Sequence, residues 1–196
     1  MKKLGTAVAT LALGLQGAAL AEPVPYEFNT THTTIRASWN HWGFSRQSID
    51  FTKYAGTLLL DFEKPTNSSV EVEFSLVDGY WVGAPDNDRF ETHLASPDLF
   101  DIAAFPTAKF KATSFETEDG ATGAMRGDLT IKGQTHPVLL DVRLNKRSEI
   151  GGRARAGFSA SGVVDRSKWG LGYGAPDVPN EVSISIETEL VGPEKK

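Results

Sequence analysis

From Pro25 onward, apolar and polar residues alternate one for one along much of the chain, a period that puts neighbouring side chains on opposite faces of a strand. The clearest stretch is Val70-Glu71-Val72-Glu73-Phe74-Ser75-Leu76. The rhythm returns in Ala108-Lys109-Phe110-Lys111-Ala112, in Val138, Leu140, Val142 and Leu144 set against Asp141 and Arg143, and in Val182, Ile184 and Ile186 set against Ser183, Ser185 and Glu187. Less regular strands are expected over 33–41, 48–63, 123–131 and 153–165, about eight in all. Turn-forming residues separate them: Lys64-Pro65-Thr66-Asn67, Glu118-Asp119-Gly120, Lys132-Gly133-Gln134 and Gly151-Gly152. Neighbouring strands joined by such short turns are expected to be antiparallel.

One stretch breaks the alternation. Residues 85–101 combine a helix-starting Pro-Asp-Asn-Asp with Phe90 and Leu94 at helical spacing, which predicts one or two helical turns across an end of the sheet. The fold class is therefore all-β, with a short helical segment near 85–101. Eight antiparallel strands with one apolar face can stack as a sandwich or close into a barrel. A closed eight-stranded barrel is just wide enough to be filled by side chains or to hold one small ligand. Ala154, Ala156, Ala160 and Gly162 share the parity of Phe158, and Ala37 lies between Ile35 and Trp39. Those small residues either leave a lumen open or pack a tapered interior, and residue volume alone does not decide between the two.

The N-terminus has a different character. Lys2 and Lys3 precede an uncharged run from Leu4 to Ala21 that ends in Ala19-Leu20-Ala21, the make-up of a secretory signal peptide, and the run is too short and too rich in Ala and Gly for a membrane anchor. Cleavage after Ala21 is expected, leaving a 175-residue domain over 22–196 in the periplasm, with no stable membrane anchor. The full chain carries a formal charge of −5, which becomes −7 without the two lysines and argues against a nucleic-acid partner. With no cysteine, the core has to hold the fold without disulfides even in an oxidising compartment.

The search for chemistry returns little. His32, His41, His93 and His136 have neither His-x-His nor His-Glu-x-x-His spacing, and there is no Gly-x-Ser-x-Gly elbow or phosphate-binding glycine loop. Two polar clusters have open roles. Asp88, Arg89 and His93 either receive a polar head group or cap the helix and pair among themselves, and Arg166 either meets a phosphate or ties a loop to the barrel. Trp39, Trp42, Trp81, Trp169 and Tyr173 suit core or closure positions at strand ends.

Several stretches resemble the YceI-like proteins, polyisoprenoid-binding proteins of the periplasm, and the likeness covers nearly the whole chain past Ala21. They are Asn29-Thr30-Thr31-His32-Thr33-Thr34-Ile35 with His41-Trp42-Gly43-Phe44-Ser45; the run from Asp88 to Asp101 with Phe105-Pro106; Gly127-Asp128-Leu129-Thr130-Ile131-Lys132-Gly133 with Pro137-Val138; and Gly157-Phe158 with Asp165-Arg166 and Trp169-Gly170. Asn29 in place of the usual aspartate, Thr33 in place of serine, and Phe90-Glu91 depart from the pattern.

The resemblance implies a lipocalin-like, eight-stranded antiparallel barrel with an open apolar lumen for a polyisoprenoid, a quinone or a fatty-amide-like lipid, carried or sequestered without cofactor or catalysis. Parity and position then place Ile35, Ala37, Trp39, His41, Phe110, Ala156, Phe158 and Ala160 on the ligand. Phe90, Leu94, Leu99 and Phe100, in the segment expected to act as a lid, and Arg166 and Trp169 are expected to contact the ligand as well. A homodimer is compatible with these features. Two other classes compete: a filled barrel that acts by binding another protein, and a lipid hydrolase or isomerase with His41 or His93 as base.

Overall fold

A computed structural model describes residues 22–83 and 87–194. The expected signal peptide at 1–21 and the first two residues of the expected helical segment, 85 and 86, lie outside the described residues. Ten strands follow one another: β1 (Val24–His41), β2 (Ser45–Phe51), β3 (Tyr54–Leu60), β4 (Ser69–Ser75), β5 (Tyr80–Val82), β6 (Thr107–Thr117), β7 (Thr122–Ile131), β8 (Gln134–Ile150), β9 (Arg153–Asp165) and β10 (Glu181–Glu194). One α-helix, α1 (Asp88–Ala95), lies between β5 and β6.

Every ladder is antiparallel, and β10 pairs back onto β1 to close the sheet. Ten strands make an eight-stranded barrel because two staves are each broken once. The expected strand over 48–63 is interrupted at Thr52-Lys53, whose amides both donate to the Gly79 carbonyl, at 2.8 and 3.3 Å. Its halves still run along one neighbour, β2 on residues 36–41 of β1 and β3 on residues 24–26. Beyond them, β4 continues on β3 and β5 on β2. Only β4 goes on to pair with β6, so the sheet is split beside β5 at one end of the barrel. Helix α1 and the turns after it occupy that end.

Several strands outrun the alternation that announced them. β1 begins nine residues before Thr33, crossing the polar run Asn29 to His32 through a register shift between Phe28 and Thr33. β8 continues past Leu144 to Ile150 through another shift, after which both faces carry polar residues. A bulge absorbs an extra residue and keeps the ladder going, so hydrophobic pattern alone stops short there.

The two faces differ as the alternation requires. Outside, Lys109 Nζ lies 2.8 Å from Glu73, Lys111 Nζ 3.4 Å from Glu71, and Arg36 grips Asp50 through two hydrogen bonds of 2.6 and 2.8 Å. These exposed pairs are screened by solvent and add little to stability. Inside, two apolar clusters form. The larger gathers Ile49, Leu76, Val82, Leu94, Phe100 and Trp169 near α1. The smaller, of Tyr26, Leu58, Leu60, Ala156 and Leu190 with Phe62 and Phe158 against it, plugs the other end.

Candidate functional site: the barrel lumen

The two clusters do not fill the interior. A cavity of about 740 Å³ runs between them, walled by inward-facing residues of the strands, among them Ile35, Phe51, Val72, Phe110, Val138 and Ile184. That size lies within the range of pockets that enclose a small molecule, and its lining is almost wholly aliphatic and aromatic. Phe62 and Leu60 mark its floor, where Arg147 covers the Phe62 ring at 3.9 Å and Phe158 stacks on it at 6.3 Å.

The opposite end is shaped by α1 and by the segment after β9. Leu94 and Phe100 are buried, Phe90 lies 5.9 Å from the Trp39 ring, and Phe100 lies 6.1 Å from Tyr80. Next to them a smaller, more polar cavity of about 500 Å³ opens among Asn87, Arg89, Phe90, His93, Asp98 and Tyr173. His93 meets the Tyr173 ring edge-on at 4.5 Å, and its Nε2 lies 3.9 Å from an Asp98 carboxylate oxygen. At the rim the chain turns between β1 and β2 with Trp42 and Gly43 both in the left-handed region, at φ of 58° and 74°. This tip leaves Phe44 almost fully exposed and Trp42 more than half so.

Arg166 is buried beneath the loop over 171–179. Its guanidinium donates to four backbone carbonyls: Pro179 at 3.1 Å, Tyr173 at 2.9 Å, Val178 at 2.7 Å, and Leu171. Burial lowers its pKa from the usual arginine value, with Asp165 pulling the other way. Asp165 itself accepts hydrogen bonds from the Ser167 hydroxyl and amide, which hold its carboxyl below the ordinary range. Trp169 is fully buried, with its indole nitrogen donating to Leu129 O at 3.0 Å and its ring against His136 at 5.2 Å. Of the two sequence readings of Arg166, these contacts realise the one that ties a loop to the barrel, although its side chain also contributes to the cavity wall.

The expected ligand-facing residues come together with one exception. Ile35, Ala37, Trp39, His41, Phe90, Leu94, Leu99, Phe100, Phe110, Phe158, Ala160, Arg166 and Trp169 all line the larger cavity. Ala156 lies in the plug with Tyr26, Leu58, Leu60 and Leu190 instead, because β9 has reached the closed end by that residue. His41 is exposed beside the Trp42 ring. Phe51, Leu58, Phe74, Met125, Val142 and Ile186 also line the cavity and were not singled out. The parity that marked Ile35 marks them too, had it been applied to every strand.

The family model for the YceI-like domain matches residues 26–190. A UPF0312 protein of Pseudomonas putida is 30% identical over 185 residues, spanning 91% of this chain and 94% of its own. A UPF0312 protein of Pseudomonas savastanoi is 27% identical over 199 residues, spanning 98% and 100%. Among solved structures, BcnA of Burkholderia cenocepacia superimposes with a TM-score of 0.71 at 20% identity, covering 83% of this chain and 98% of its own. A polyisoprenoid binding domain from Saccharophagus degradans gives 0.62 at 10% identity, covering 87% and 99%.

Proposed function

The chain belongs to the YceI-like family, and from that premise we propose that its barrel holds one long-chain lipid of isoprenoid type and carries or sequesters it without chemical change. The observation that carries this reading is the apolar cavity, reaching from the α1 end to the Phe62 floor inside a closed sheet. Burying a hydrocarbon tail there gains roughly 0.8 kcal/mol per CH₂, so a chain of ten or more carbons binds firmly with few polar contacts. The similarity to a domain described as polyisoprenoid binding supports the same class, and quinones and fatty amides belong to the tails that would fit. Release requires α1 and the turns behind it to swing off the lumen, since they occupy the end where the sheet is split beside β5, while elsewhere each stave is paired with both neighbours.

The test is mass spectrometry of solvent extracts from protein purified without detergent from its native compartment. A stoichiometric long-chain amphiphile is the expected result. An empty protein that also fails to take up polyprenols would turn the reading toward a barrel that acts through its outer surface. The reading includes export, so the intact mass of the native protein should match a chain beginning at Glu22.

A further inference from the structure

Arg89, Phe90, His93 and Tyr173 line both the apolar cavity and the smaller polar one, so the two join into a single site with an oily body and a polar end. Among the described residues Arg89 enters no ion pair, whereas His93 has Asp98 at 3.9 Å. Behind the polar end lies Arg166, which reaches the Tyr173 carbonyl at 2.9 Å and, among the described residues, finds only backbone carbonyls as hydrogen-bond partners. Carbonyl dipoles solvate that guanidinium without neutralising it. Asp165 acts on that charge from nearby but forms no ion pair with it among the described residues, so the charge beside the apolar chamber is only partly offset where fields are weakly screened, and it favours a further anion.

We propose that the polar cavity is a head-group site for the acidic end of a single-tailed amphiphile, a carboxylate or a phosphate monoester, with Arg89 as its direct contact. The inference rests on the lipid-carrier reading and narrows it to charged heads. Arg89 donates to the oxyanion, Arg166 supplies attraction through the wall from behind Tyr173, and Asp98 opposes both. Because the chain as a whole is acidic, the preference is local to this end of the barrel.

The experiment titrates the purified protein at low ionic strength with oleic acid, oleyl phosphate and oleyl alcohol, which share one tail, and follows tryptophan emission. The readout is the ratio of the alcohol's Kd to that of each acid. A ratio of about ten is expected, falling as salt is added. Arg89→Gln should bring it close to one, and Asp98→Asn should raise it. The larger of the two ratios identifies carboxylate or phosphate as the head. A ratio near one in the unaltered protein, or one that survives Arg89→Gln, overturns the head-group site while tight binding of all three leaves the carrier reading standing. If none of the three binds, and no polyprenol does either, both fall.

Discussion

Ala156 and Ala160 share one face of β9, four residues apart, yet their surroundings differ. Ala160 looks into the cavity, whereas Ala156 is enclosed by Tyr26, Leu58, Leu60 and Leu190. A phenylalanine at 160 has open space to enter and should compete with the lipid tail, lowering occupancy in a protein that melts close to the unaltered one. At 156 the same change overpacks the plug and should cost about 1–3 kcal/mol of unfolding free energy, measured by denaturant titration. Equal stability losses at the two positions would place both in a filled core. Asp61 offers a second test at this scale. It is buried in the turn after β3 and accepts the Lys64 amide at 2.8 Å, the Asn67 side-chain amide at 3.0 Å and the Glu63 amide at 3.0 Å, which lower its pKa from the usual value. A carboxyl lowered by folding stabilises the protein above its unfolded pKa, and that contribution disappears as pH falls through the folded value. The melting temperature should therefore drop with acidification below the ordinary carboxylate range, and less steeply in Asp61→Asn.

At the scale of elements, the loop over 171–179 depends on a single side chain. Replacing Arg166 with methionine keeps much of the bulk but leaves four carbonyls without their donor. We expect a loss of about 2–4 kcal/mol and fast hydrogen exchange at the Leu171 and Val178 amides, while β7 and β8 stay protected. Gly127 sets a close approach of another kind. A Cβ there would collide with the Phe110 ring and crowd the Lys111 carbonyl, so Gly127→Ala should push Phe110 into the lumen and reduce lipid uptake as well as stability.

Elements were legible wherever one face is oily and the other wet, as along β4, β6 and the first half of β8. They were obscured where polar residues occupy both faces, as in β1 across Asn29 to His32. The break at Thr52-Lys53 and the short strand β5 follow from hydrogen bonds to Gly79, a tertiary contact that no local pattern announces. Of the eight lining residues expected on strands, seven could be placed by parity, the other six expected residues lying on α1, in the turns after it and in the turn after β9. Ala156 could not, because parity tells inside from outside but not how far along the barrel a residue lies.

For the molecule as a whole, closure depends on one ladder. β1 pairs with β10 from Glu27↔Val191 to Ser38↔Ser183, joining residues that are among the most distant in the sequence. A chain ending before Glu181 would keep seven staves but have two open edges and no enclosed cavity. Such a truncation should bind no lipid, lose cooperative unfolding by circular dichroism and self-associate on gel filtration. The same ladder sets a timetable. While the chain is being made, β1 emerges first and must wait for the last strand, with the oily side of every intervening stave already formed or forming. Barrels closed by such distant pairing fold slowly, so the stage of greatest risk comes before the container exists, and whatever shields the nascent strands then protects a surface that the finished protein never shows.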